Sequence, residues 1–232
     1  MGGGKKHLKA ILEMLELSCE QEYKYVHIIS GEDFPVKSIE NIEAFFEDNT
    51  HIYTNYELIS GKKSPLNRRY CYYWPYVKYS MNYKEPWVRR LNLLAISLQM
   101  LIPFLNRKKL GEFDKVYAGF IWGSYPKYSV QYVLEYLKNH PNFWKDLQTC
   151  KIPEEMCFQT ILMNSEMRNR IVNNNLRYWK FEGGDGSGPV YLNESDFESI
   201  VNQNVIFARK VKFDSELRQM LEINIKEKVP RP

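Results

Sequence analysis

Near the start of the chain the apolar positions Leu8, Ile11, Leu12 and Leu15 fall at i, i+3, i+4, i+7, one face of a helix, and predict an amphipathic helix over residues 5–18. The period then changes. Tyr25-Val26-His27-Ile28-Ile29 is a β-branched and aromatic run stopped by Ser30-Gly31, the pattern of a buried strand. Ser38 can cap a helix ending at Phe46, with Ile39, Ile42 and Phe46 on one face, and residues 51–55 read as the next strand. Residues 61–85 are dense in Lys, Arg, Tyr and Trp, contain Pro65 and Pro75 and keep no period, so a long loop or insertion beside a site is expected. A helix is then expected over 86–102, a strand over 116–121, helices over 128–138 and 154–164, a short strand over 177–180, and helices over 195–203 and 214–227. Such alternation predicts an α/β fold rather than all-α or all-β. No internal repeat is present.

Composition narrows the class. A chain of 232 residues with 44% hydrophobic and 15% aromatic content can bury a real core, which argues against disorder and suits one large α/β domain or two small ones; a single domain over residues 1–232 is expected. The net charge of +4, from 32 basic and 28 acidic residues, falls short of the concentrated footprint of a nucleic-acid binder, so no nucleic-acid partner is expected. Cys19, Cys71, Cys150 and Cys157 form no CxxC pair, which indicates neither a zinc site nor a disulfide framework and suits a reducing compartment. The start lacks the apolar segment of a secretory signal. The apolar run over residues 91–105 is short for a membrane span and carries Asn92, Gln99 and Pro103; a core or interfacial helix is expected instead. A cytoplasmic location follows, with peripheral association at the inner membrane surface as its companion.

Chemistry concentrates in a few places. The strand ending at Ile29 runs into Ser30-Gly31-Glu32-Asp33-Phe34-Pro35, a small-residue turn with two acids, and ligands of open α/β sheets bind beyond the carboxyl ends of strands. A plain turn with solvated acids is the alternative. Glu154 and Glu155 open a predicted helix after Pro153, where the dipole favours a carboxylate while the neighbouring acid raises one pKa; one of them could act as a general base, or both could be ordinary first-turn acids. No Asp-x-Asp occurs, and His7, His27, His51 and His140 lack ligand spacing, so no metal is expected. Any phosphate would then need a protein cation. Arg209 and Lys210 are able to donate to phosphate oxygens, although a solvated surface pair reads equally well. The GGDGSG segment at residues 183–188 does not match a GxGxxG fingerprint and reads as a flexible loop.

Five blocks, in order over residues 26–214, resemble the signatures of one family. Ile29-Ser30-Gly31-Glu32-Asp33-Phe34-Pro35 is similar to "L-S-G-x-D-x-P", and Trp122-Gly123-Ser124-Tyr125 to "G-S-x-W", with Tyr125 and Pro126 where the Trp usually stands. Pro153-Glu154-Glu155, followed by Thr160, is similar to "P-D-E-x-x-x-x-T", with Glu154 replacing Asp; Asn174-Asn175-Leu176-Arg177-Tyr178 is similar to "N-x-L-R-Y". Phe207-Ala208-Arg209-Lys210 is similar to the start of "F-A-R-K-F-D", with two extra residues before Phe213-Asp214. Together they resemble the core-2/I-branching β-1,6-N-acetylglucosaminyltransferase and xylosyltransferase family.

The resemblance implies a GT-A-like mixed sheet flanked by helices and an inverting, metal-independent transferase moving N-acetylglucosamine or xylose from a UDP-sugar to a glycan hydroxyl. It implies Glu155 as base, Lys210 with Arg209 on the donor phosphates, and Ser30, Gly31, Asp33, Trp122 and Glu154 in the cleft. Glu57 stands where the family has an acid for acceptor hydroxyls, Arg68 follows at a similar spacing to a family basic residue, and Trp179 with Phe181 resembles an acceptor-side aromatic pair. A second phosphate-binding cation near residues 183–188 has no match; Arg177 or Lys180 would have to substitute. Met1-Gly2-Gly3 resembles a "W-G-G" segment that normally follows uridine-holding βα units, so the domain is expected to be incomplete at its N-terminus. That expectation keeps a second reading open, a catalytically inactive carbohydrate-binding fragment or scaffold.

Overall fold

The computed structural model describes residues 4–61, 66–181 and 188–227. Helix α1 (Lys5–Cys19) buries Leu8, Ile11, Leu12 and Leu15, each burial contributing about 2 kcal/mol, and leads to strand β1 (Tyr25–His27) and the short strand β2 (Asp33–Pro35). Helix α2 (Ile39–Phe46) starts where Ser38 Oγ accepts from Asn41 N at 3.3 Å. Its expected apolar face is only partly used: Phe46 is buried, whereas Ile39 lies in solvent because the helix packs by its C-terminal turn. Buried strand β3 (Ile52–Thr54) and β4 (Glu57–Leu58) follow.

The stretch expected as a long loop contains two short helices instead, α3 (Arg68–Cys71) and α4 (Pro75–Lys78). Single turns are too short to show a period, and Pro75 takes the first helical position, where its missing N–H costs nothing. Helix α5 (Pro86–Leu101) forms as expected but is oriented against the core expectation. Its buried positions are Val88, Asn92 and Gln99, while Leu91, Leu93, Leu94, Leu98 and Leu101 face outward.

Strands β5 (Tyr117–Ala118) and β6 (Gly123–Pro126) precede helices α6 (Lys127–Asn139), α7 (Pro141–Leu147) and α8 (Glu154–Met163). Nine of the ten residues of α8 are buried, all but Glu155, so it is the central post of the molecule. Strands β7 (Ile171–Val172) and β8 (Arg177–Trp179), helix α9 (Phe197–Val201), strand β9 (Phe207–Arg209) and helix α10 (Glu216–Glu227) complete the order.

Among the described residues the strands form three sheets. In the first, β6 lies antiparallel between β1 and β3, and β3 is parallel to β7. In the second, β9 is central, antiparallel to β2 and parallel to β8; β4 and β5 form an antiparallel pair. Arg177 fastens the first two sheets together, donating from Nη2 to the Ile28 carbonyl at 3.0 Å and the Gly123 carbonyl at 3.1 Å.

His27 belongs to this seam. Its ring is hydrogen-bonded to Ser124 Oγ at 2.8 Å and packs on Phe46 and Phe207. Burial, then the Arg177 charge, pushes its pKa down to about 4. The unfolded chain therefore takes up this proton first as pH falls below the ordinary histidine value. The stability gained from neutral His27, about 3 kcal/mol at most, is present above pH ~6.5 and lost toward pH ~4. Denaturant melts between these limits should show that slope in the wild type and a flatter one in His27→Gln.

Candidate active site

The second sheet brings an acid, a cation and an aromatic ring side by side, because the register pairs Asp33 with Arg209 and Arg209 with Trp179. Cross-strand partners share a face. The Asp33 side chain is wholly buried, and its Oδ2 accepts from both Ser30 N and Ser30 Oγ at 2.6 Å. Arg209 Nη1 donates to the same oxygen at 2.9 Å and also to Ser30 Oγ. Gly31 closes this turn in open space, where a Cβ would meet nothing.

Two further groups surround the Arg209 guanidinium. It lies 3.9 Å from the Trp122 ring centroid, and its Nη2 is 3.8 Å from Glu32 Oε2. The same Glu32 oxygen is 3.4 Å from Lys210 Nζ, and the Tyr191 hydroxyl donates to Glu32 Oε1. The Tyr191 hydrogen bond first, and then the Lys210 and Arg209 charges, hold the Glu32 carboxyl below the ordinary range. Lys210 is thus a partly exposed cation beside an ionised acid.

From Trp122 an aromatic wall runs toward α8. Phe120 stacks on Trp122 at 5.0 Å and meets Trp179 edge-on at 5.3 Å, and Trp179 meets Phe181 at 5.1 Å. Phe120, Trp122 and Trp179 are partly buried and Phe181 is exposed, so ring surface is left for a ligand. The wall is held from behind by Gln159, which donates to the Phe120 carbonyl at 2.8 Å and to Thr54 Oγ1 at 3.2 Å. At its end Gly119 packs directly on the chain at Asn55, where a Cβ would fall 1.8 Å from the Asn55 carbonyl oxygen. Only glycine fits there.

Gly119 N donates to the Glu155 carbonyl at 2.8 Å, which brings the first turn of α8 to the end of the wall. The Glu155 side chain is partly buried and takes an ion pair from Arg69 Nη1. Burial raises its pKa, the Arg69 charge and hydrogen bond pull it back, and Glu154 adds a small upward push. Phe120, Trp122, Trp179 and Arg209 are therefore in successive contact, with the Glu155 backbone joined to one end through Gly119 and Lys210 following Arg209 in the chain at the other.

Other residues singled out in the sequence lie at varying distance from that line. Glu57 is paired across β4 and β5 with Ala118, one residue before Gly119. Arg68 is exposed on α3, its carbonyl accepting from Trp74 Nε1; its neighbour Arg69 is the one that reaches Glu155. Glu154 is buried and turned the other way, 3.0 Å from His7 on α1. Of the two proposed substitutes for a second phosphate cation, Arg177 is buried in the seam, whereas Lys180 is exposed and paired with Asp196. Residues 183–187 of the GGDGSG segment lie outside the described residues, whereas Gly188 has a positive φ of 96°. Arg69, Phe120, Gln159 and Tyr191 carry no spacing signal that would have singled them out in the sequence.

The family model described as Core-2/I-Branching enzyme matches residues 5–201. That match, with a mixed α/β architecture consistent with a GT-A-like fold, makes the molecule a glycosyltransferase, a class that joins a sugar donor to a glycan acceptor. The chain belongs to the Core-2/I-branching enzyme family. Glu155 and the aromatic wall fall inside the matched residues; Arg209 and Lys210 lie just beyond them. None of the curated proteins matches the chain.

Proposed function

We propose that the chain moves a sugar, N-acetylglucosamine or xylose, from a UDP-sugar to a glycan hydroxyl, with inversion and without a metal ion. The observation that carries this reading is Glu155: a carboxyl raised by burial and steadied by Arg69, on a residue whose backbone carbonyl binds Gly119 N at the end of an aromatic wall that leads to Arg209. Inverting transfer is one displacement. The acceptor oxygen bonds to the anomeric carbon as the bond to the diphosphate breaks, the hydroxyl proton passes to Glu155, and UDP leaves with the electron pair. A carboxyl raised toward the working pH suits this proton transfer.

Negative charge developing on the diphosphate needs fixed donors. Lys210 and Arg209 meet the need, with Glu32 holding Lys210 at 3.4 Å until a phosphate oxygen replaces it. Trp179 and Phe181 offer ring faces to the acceptor, and Glu57, paired across the sheet with Ala118, would bind its hydroxyls. Cytoplasmic residence, with the acceptor presented at the inner membrane surface, completes the proposal.

Calorimetric titration with UDP, in EDTA and then in Mg²⁺, tests it. Equal binding in both, weakened at least about tenfold in Lys210→Ala as a charge-assisted hydrogen bond is lost, is expected. Absence of UDP binding with glycan binding retained would make the chain a carbohydrate-binding scaffold instead.

A further inference from the structure

Helix α5 is built inside out. Its inward face carries, besides Val88, two bonded amides: Asn92 Oδ1 accepts from Tyr76 N at 3.4 Å and its Nδ2 donates to the Val88 carbonyl at 2.7 Å. Gln99 Oε1 accepts from Tyr73 N at 2.8 Å, and its Nε2 donates to the carbonyls of Tyr73 at 3.1 Å and Ala95 at 3.0 Å. These bonds fix the rotation of the helix. Turning it to bury the leucines would strand two amides and the backbone of Tyr73, at about 1–3 kcal/mol for each buried group left unpaired.

The outward face is correspondingly apolar. Leu94 is 70% exposed, Leu101 80% and Phe104, in the turn after the helix, 82%, with Trp87 and Leu98 between and beside them. A contiguous patch of this kind on a protein surface marks an interaction site. Charge identifies the occupant. From Lys78 to Lys109 the exposed cations are Lys78, Lys84, Arg89, Arg90, Lys108 and Lys109 against the single acid Glu85; Arg107 is buried beside Asp146, and Lys109 is paired with Asp114. Arg89 and Arg90 sit at the start of the helix, and the exposed Lys108 and Lys109 follow its end. A second copy of the chain would set basic ends against basic ends in either direction. An anionic lipid surface accepts both the leucines and the flanking cations, which is the recognition pattern of a helix lying in the interfacial plane. At 16 residues and about 24 Å, α5 lies along such a surface, and no described helix is long and apolar enough to cross a membrane.

We infer that α5 is a peripheral docking helix for anionic membranes, with Leu94, Leu98, Leu101 and Phe104 entering the acyl boundary and Arg89 and Arg90 meeting the headgroups. The inference rests on α5 alone and stands or falls apart from the transferase reading, since vesicle binding and UDP binding are measured separately. Flotation of the full chain with vesicles of phosphatidylcholine, and of phosphatidylcholine mixed with phosphatidylglycerol, tests it. Binding is expected on the mixed vesicles only, falling at least about tenfold in Arg89→Glu/Arg90→Glu and lost in Leu94→Glu/Leu98→Glu, with thermal melts unchanged because none of the four positions is buried. Binding to neither vesicle, equal binding to both, or sedimentation as a dimer that Leu94→Glu dissociates would each overturn it.

Discussion

Glu155→Gln is expected to lower kcat by about 10²–10⁴-fold while leaving UDP affinity and the melting temperature close to wild type. Glutamine keeps the shape and can still accept from Arg69, so the loss isolates the proton-accepting step. The pH profile adds an independent reading. Burial raises the Glu155 carboxyl and Arg69 lowers it, so the base form is lost as pH falls through this raised value and kcat falls with it. Arg69→Met removes the opposing charge and should move the acid limb to higher pH. Wild-type turnover in Glu155→Gln, or an acid limb that stays in place in Arg69→Met, would assign the base role elsewhere.

The second large effect is expected at Asp33. Its buried carboxylate answers the buried Arg209 guanidinium and two donors of Ser30. Asp33→Ala leaves that cation with only the more distant Glu32, at 3.8 Å, and should cost about 3 kcal/mol, a fall of roughly 10 °C in Tm for a chain of this size. UDP binding should fall with it, because Arg209 loses its anchor. The double variant Asp33→Leu/Arg209→Met separates the two consequences: it should recover much of the stability, since a buried ion pair exchanged for apolar groups is often neutral, yet bind no better to UDP. Recovery of binding along with stability would show that Arg209 does not touch the phosphates.

What could be read from the sequence followed the length of each element. Helices α1, α5, α6, α8 and α10 span enough turns for their periods to show, and Ser38 marked the start of α2 through its own cap. Strands β2, β6 and β9 did not announce themselves. Asp33-Phe34-Pro35 and Gly123-Ser124-Tyr125-Pro126 have the composition of turns, and three or four residues cannot display alternation. They are strands because distant partners supply the hydrogen bonds. The site shows the same division: local blocks marked Asp33, Glu155 and Arg209, but the union of Asp33 with Arg209 crosses 176 positions and exists only in the fold. Arg69 differs from the sequence candidate Arg68 by one place on a helix, a rotation of about 100° that spacing alone does not decide. For helix α5 only the choice between a core and an interfacial face was hidden. Its composition announces an apolar face, while the direction of that face is set by the amide bonds of Asn92 and Gln99 to residues 73–76.

The central position of β9 carries a consequence for how this molecule tolerates change. One residue inserted between α9 and β9 would slide Phe207-Ala208-Arg209 by a single step between β2 and β8, and a step of one turns every side chain to the opposite face. Arg209 would point into the cluster that now holds Ala208, and Asp33 would face a methyl group. The cleft is thus guarded less by the chemistry of its residues than by arithmetic: the segment after Val201 can vary in composition but not in count.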